Sequence, residues 1–343
     1  MRNRPDIITL LLTMLLAAAS LSSCRKVTIP PTAGDAVISF GSSVDTKSLV
    51  EDVTDMEGFL VYGYYTVDGS TSHTAFDGVT VTRSGALWTY SPARYWISDA
   101  GYSFAAFHPS DAQVTITHPE MDADGVFTGL SFEYEKTGFQ DDFMLSTKSM
   151  KTEDAAENGY TVQLPFEHLL ANLNVKIGFA AGVQDGTYIR LTGVVLNGMK
   201  RSATYTVGQG WSDLSSTALQ FSGNIDILMH KQGGKIYSNG TELPDGTITP
   251  TGEDGLTVIP IDLTDPDNRI TLRLNCEISN DGVNFASKII EKTFVATAGI
   301  DEWKQSKTYT YTALLDVDYS ISFSEPTVTD WVDEQATGSV IIK

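Results

Sequence analysis

The chain has 343 residues, with 23 Lys and Arg against 43 Asp and Glu and a formal net charge of −20. Phosphate backbones are held by clustered cations, and no basic stripe interrupts this acidic sequence, which argues against nucleic acid as a partner and against close approach to anionic membrane surfaces. The length exceeds that of one ordinary domain, so two are expected.

Residues 1–23 have the layout of a lipoprotein-type signal peptide: Arg2 and Arg4, then the apolar run Ile7 to Ala19, then Leu21, Ser22 and Ser23 ahead of Cys24. The alternative is an uncleaved membrane helix, but the run falls short of the roughly 20 residues that cross a bilayer. Leu21-Ser22-Ser23-Cys24 resembles the lipobox of bacterial lipoproteins. That resemblance implies cleavage before Cys24, thioether diacylation of its sulfur and acylation of the freed amine, so that the mature chain meets a membrane through lipid. Cleavage would remove Arg2, Arg4 and Asp6, leaving 21 basic against 42 acidic residues and a net charge of −21. Residues 24–35 contain Pro30 and Pro31 and little pattern, which suits an extended tether.

From residue 36 onward the dominant signal is period-two alternation, the mark of half-buried strands whose successive side chains point to opposite faces. The first such stretch is Ala36 to Phe40, with Ile38 and Phe40 on one face. Trp88, Tyr90, Tyr95, Trp96, Tyr102, Phe104 and Phe107 then crowd together, either as core filling or as a sugar-stacking platform; packing is the preferred reading because large rings stabilise most when covered. Lys148 to Gly159 is polar and charged and sets the expected boundary, with one domain over residues 36–158 and a second over 159–343. Further strands are read at Leu173, Val175, Ile177 and Phe179, at Ile270, Leu272, Leu274, Cys276 and Ile278, and at Tyr309, Tyr311 and Ala313.

Asp-Gly and Asn-Gly pairs at 68, 77, 124, 185, 197, 239, 245 and 281 supply turn signals between these runs. One short helix is expected around Asp213 to Leu219. Many strands and no long amphipathic helix make an all-β fold of antiparallel β-sandwiches, two in tandem.

A search for chemistry assigns no catalytic residue, no cofactor and no metal site. His73, His108, His118, His168 and His230 include no pair at metal-ligand spacing, and neither Cys-x-x-Cys nor His-Glu-x-x-His occurs. Gly101-Tyr-Ser-Phe-Ala105 fits a strand better than a nucleophile elbow. Asp122-Ala-Asp124-Gly125 and Asp265-Pro-Asp267-Asn268 lack the completion of an EF-hand loop. Pairs such as Asp141-Asp142 or Glu253-Asp254 carry no glycosidase assignment without a separation. Once Cys24 is lipidated only Cys276 remains, a small core hydrophobe rather than a nucleophile.

Three segments carry a family resemblance. Trp88-Thr-Tyr-Ser-Pro-Ala-Arg-Tyr-Trp96 leads into Tyr102-Ser-Phe-Ala-Ala-Phe-His-Pro109; Leu164-Pro-Phe-Glu-His-Leu-Leu-Ala171 precedes the strand to Phe179; and Trp303 leads through the Tyr309 strand to Ile321-Ser-Phe323 and Val328-Thr-Asp-Trp331. In order and spacing they resemble the fimbrillin family, the Mfa-like fimbrial subunits and related lipoproteins of Bacteroides-type bacteria. The resemblance implies two transthyretin-like sandwiches and a structural, adhesive role on the outer membrane surface. It also implies assembly with other fimbrial subunits by strand exchange, in which a protease removes a first strand and a neighbour's C-terminal strand fills the groove.

On this sequence the removable strand would hold Ile38 and Phe40, the cut would follow Lys47 where the family uses arginine, and the donor would lie in Gly338 to Lys343 with Val340, Ile341 and Ile342. If Lys47 is not cut, an anchor, tip or stand-alone role follows instead of a shaft role, and the C-terminal strand could equally complete its own sheet. A glycan-binding outer-membrane lipoprotein of a polysaccharide-uptake system is the competing function, and a secreted hydrolase is third. The receptor, whether a host or bacterial surface or a glycan, is left open.

Overall fold

The structure, a computed structural model, describes residues 34–44 and 56–331 except 86, 118, 140, 141, 216, 253, 298, 317 and 319. Cys24 with Leu21, Ser22 and Ser23, the cut at Lys47, and Val340, Ile341 and Ile342 all lie outside the described residues. Within them the chain is an all-β protein whose sheets pack into sandwiches.

The first sheet has seven strands in the order Ser39–Val44, Thr161–His168, Met144–Lys151, Gly101–His108, Gly58–Thr66, His73–Ser84 and Leu87–Thr89. One of its faces encloses a core that includes Ile38, Phe40, Phe59, Phe76, Trp96 and Phe104. The opposite face carries Ala105, Phe107 and Leu145 against Phe132, Tyr134, Ala203 and Tyr205 of a four-stranded sheet. That sheet runs Gly210–Ser212, Ser202–Thr206, Ser131–Glu135, Gln113–Ile116. Being covered on both sides explains why Gly101–His108 is buried at six consecutive positions rather than at every second one.

The second sandwich pairs two six-stranded sheets. One runs Thr241–Glu242, Lys235–Ser238, Ala218–Gln232, Tyr188–Lys200, Thr271–Ser279, Ala286–Thr293; the other is built on Thr247–Ile248, Ala171–Phe179, Lys307–Leu315 and Ile321–Phe323. Between them lies a core that holds the apolar faces read from the sequence, among them Leu173, Val175, Ile177, Leu272, Leu274, Ile278, Tyr309 and Tyr311. Cys276 is 2% exposed within this core, and desolvation pushes its thiol up to about 11. A maleimide at pH 8 is therefore expected to leave the folded protein unlabelled and to label Cys276 only after denaturation, because the thiolate is the reacting form; labelling at equal rates in both states would contradict the packing.

The first sheet continues past the boundary expected between 158 and 159, since Thr161–His168 pairs with both Ser39–Val44 and Met144–Lys151. Strand Ser202–Thr206 also returns to pair with Ser131–Glu135, so one sheet draws on both sides of that boundary. Within the polar segment Lys148 to Gly159, Lys151 ends a strand, Thr152–Glu157 is a helix, and Ala155 and Thr152 are buried. Its charges occupy the outward side of a short amphipathic turn, a pattern too brief for sequence periodicity to register.

Among the described residues of 213–219 no helix forms; Asp213 has φ 49° and a long strand begins at Ala218. Among the described residues the sheets are antiparallel except for two parallel ladders, Ser39–Val44 with Thr161–His168 and Ala171–Phe179 with Lys307–Leu315. Alternation reports which face a residue takes and is blind to the direction of the neighbour.

Two of the eight Gly pairs lie inside strands rather than at turns. Asn197-Gly198 sits within Tyr188–Lys200 where the register shifts, with Gly198 at φ 92° and the Arg269 carbonyl oxygen occupying the space a Cβ would need. It is a β-bulge, for which glycine is the residue of least strain.

Candidate functional site: a groove filled by the N-terminal strand

Ala36, Ile38 and Phe40 are buried at 1%, 0% and 6% exposure, while Val37 between them is 40% exposed. This alternation lays the segment edgewise into the first sheet. On one side it pairs in parallel with Thr161–His168, Ser39 opposite Thr161 and Phe40 opposite Val162. On the other side Ile38 N donates to the Arg94 carbonyl at 2.9 Å, Trp96 N donates to the Ala36 carbonyl at 3.1 Å, and Val37 bridges Tyr95. Both hydrogen-bonding edges of the segment are therefore used.

The pocket beneath it is aromatic. The Phe40 ring meets Phe59 at 6.0 Å, Phe76 at 5.4 Å, Tyr90 at 5.7 Å and Phe104 at 6.1 Å, all edge to face. Such pairs add about 0.5 to 1.5 kcal/mol each beyond the area they bury. The Tyr90 hydroxyl donates to the Ile38 carbonyl at 2.7 Å, and burial raises its pKa, which keeps it a neutral donor. Trp96 Nε1 donates to the Tyr160 carbonyl at 3.2 Å, closing the groove at its Thr161 end.

The remaining members of the aromatic run pack into the same core, except Phe107, which lies in the core on the opposite face of the sheet. Trp96, Tyr102, Phe104 and Phe107 are each 0% exposed, and Trp88 packs on Phe59 at 4.8 Å. Fully covered rings offer no face to a sugar; Trp88 and Tyr90 are only partly buried, and Tyr95 is 50% exposed.

At the far end of Thr161–His168, the strand that borders the groove, lies a polar cluster that the sequence reading missed. His168 Nδ1 lies 2.6 Å from Asp142 Oδ1, with the two side chains 2% and 6% exposed. The imidazole stacks on Trp331 at 4.8 Å. Ser306 ties the three segments together: its hydroxyl donates to the His168 carbonyl at 2.8 Å, its N–H donates to the Leu170 carbonyl, and its carbonyl accepts from Trp331 N. His168 and Trp331 were both visible as motif residues, but their contact spans 163 positions, and nothing local in the sequence announces it.

Other histidines are scattered. His73 stacks on Tyr65, His230 stands between Tyr188 and Tyr237, and His108 Nδ1 lies 2.8 Å from the Gly58 carbonyl, with burial lowering its pKa. Among the described residues no group of three or more His, Cys, Asp or Glu could hold a metal ion.

These features define a class: a two-sandwich, all-β protein that closes its first sheet with an N-terminal strand seated in an apolar groove. The sequence profile of the fimbrillin-like family matches residues 46–331, and the chain belongs to that family. The fold is similar to the crystal structure of a fimbrial protein from Bacteroides vulgatus, at 19% identity over 86% of this chain and 99% of that one, with a TM-score of 0.57. Weaker likenesses extend to proteins described as a "putative cell adhesion protein", from Bacteroides uniformis (15% identity, 88% and 100% covered, TM-score 0.45) and Bacteroides ovatus (12%, 88% and 100%, 0.45). No curated protein matches the sequence.

Proposed function

We propose that this chain is a structural and adhesive fimbrial subunit or fimbrillin-like surface lipoprotein, built of two transthyretin-like sandwiches, that assembles with other subunits by strand exchange. The carrying observation is the groove: a short segment with two buried side chains, Ile38 and Phe40, fills it, and the family profile begins just after that segment, at residue 46. Loss of the segment would uncover the edge of Thr161–His168 and an aromatic pocket. An open apolar edge pairs readily with another extended chain, since main-chain hydrogen bonds are generic and alternate side chains select the pocket. Lys47 is the candidate cut and Gly338 to Lys343 the candidate replacement.

The deciding experiment is electron microscopy of purified protein treated with a trypsin-like protease. Filaments are expected after treatment and absent before it; dispersed particles in both samples would exclude the polymerising role.

Cys24 supplies the proposed outer-membrane anchor. Cys24→Ala is expected to abolish labelling by a fatty-acid analogue and to release the protein from the membrane fraction, a loss too large to miss because lipid burial contributes about 0.8 kcal/mol per methylene. Unchanged labelling in the variant would refute the anchor.

A further inference from the structure

A cavity of about 280 Å³ lies at one end of the second sandwich. Three connections form it: the turn that carries the chain from Ala171–Phe179 in one sheet to Tyr188–Lys200 in the other, and the segments just past Thr271–Ser279 and Lys307–Leu315. Both sheets thus contribute, and connections mounted on a rigid scaffold are where binding residues concentrate.

The walls are pinned by hydrogen bonds. Ala180 N donates to the Leu315 carbonyl at 2.8 Å, Gly186 N to the Lys231 carbonyl at 2.8 Å and Lys231 N to the Thr187 carbonyl at 3.1 Å. Asp185 accepts from Gly234 N through both carboxylate oxygens. A cavity held in this way is shaped before a ligand arrives, which keeps the ordering cost of binding low.

Its chemistry is mixed. Val183 and Ile189, 4% and 2% exposed, give an apolar wall, and Gln184, Thr187, Asn280 and Asp316 add two carboxamides, a hydroxyl and a carboxylate. Carboxamides and hydroxyls both donate and accept hydrogen bonds, whereas the carboxylate accepts. Among the described residues the side chains of Thr187 and Asn280 make no hydrogen bond to protein, so their capacity is open to a ligand.

Several ligand classes fit this lining poorly. An anion would meet carboxylates on a chain of net charge −20, and the neighbouring Lys231 ammonium is engaged by the Val183 carbonyl at 2.8 Å. Among the described residues no group of three His, Cys, Asp or Glu could hold a metal ion. An ammonium would seek both carboxylates, and that of Asp185 already serves Gly234 N. What the lining fits is a ring of adjacent hydroxyls, each donating and accepting, with its C–H face on Val183 and Ile189. The volume lies at the lower limit of small-ligand sites, roughly 300 Å³, which suits one ring.

We propose that this cavity binds a single neutral pyranose, the terminal residue of a surface glycan. The inference rests on the adhesive part of the reading above, to which it adds a ligand class, and is independent of the lipid anchor and of strand exchange.

The test is saturation-transfer NMR on the full mature chain, with galactose, mannose, fucose and N-acetylglucosamine as probes and N-acetylneuraminic acid and ethanolamine as charged controls. At least one neutral sugar is expected to bind saturably and neither control to bind. Thr187→Val and Asn280→Ala remove hydrogen-bonding groups while sparing the buried wall. Each is expected to weaken binding about tenfold with the unfolding midpoint unchanged. If either shifts the midpoint, Gln184→Ala, at an exposed position, takes its place. No saturable binding of any neutral sugar, preferential binding of a control, or binding that none of these substitutions weakens would overturn the proposal. Filament formation after proteolysis would stand or fall separately, since it is read by a different experiment.

Discussion

Removing residues through Lys47 is expected to turn the chain into a self-associating species, with a ladder of oligomers resistant to mild SDS, while the uncut chain shows none. Ile38 and Phe40 are 0% and 6% exposed, and burying two such side chains contributes roughly 3 to 6 kcal/mol, a large part of the 5 to 15 kcal/mol by which domains are typically stable. The truncated sheet would then keep an apolar trough lined by Phe59, Phe76, Tyr90 and Phe104 beside an unpaired edge. Deleting Gly338 to Lys343 in addition should suppress the ladder. Size-exclusion chromatography with light scattering measures both, and a truncated chain that stays a folded monomer at high concentration would leave the groove without an exchange role.

Phe40→Ala in the uncut chain is expected to cost about 3 to 5 kcal/mol in denaturant unfolding, the range for deleting a buried phenyl ring. The four surrounding rings come from three separate strands and from the Tyr90 segment, and they cannot all close on the void. Val37→Ser, one residue away but 40% exposed and facing out, should change stability by no more than about 0.5 kcal/mol. Equal losses at the two positions would mean that the segment does not lie as described. The contrast also bears on exchange, because a strand that contributes this much is not shed spontaneously. Cutting the chain makes its departure possible without a covalent return path.

The groove shows how far the sequence could be read. Ile38 and Phe40 are separated by one residue and flanked by polar or exposed neighbours, so their shared inward face was legible from alternation alone. The same holds for Cys276 and its strand, where period two across five residues located a buried face. The aromatic run was legible as core for a similar reason: so many large rings in one stretch have more area to cover than a surface can expose.

What alternation omits is the identity and direction of the neighbour. Nothing in Ser39–Val44 says that it pairs in parallel with a strand more than 100 positions away, or that Ser202–Thr206 crosses back to a sheet begun before residue 159. The expected boundary rested on local polarity at Lys148 to Gly159, whereas long-range hydrogen bonding carries the first sheet on to His168.

By itself the sequence determined the strand content, the inward faces and the family, because each is written in residue types over a few consecutive positions. Only the tertiary structure decided which strand closes the groove, in which direction, and that Asp142, His168, Ser306 and Trp331 meet at the end of the neighbouring strand. Those are contacts between distant segments, set by how sheets stack and twist to bury both faces of the same strand, and no short window of residues encodes them.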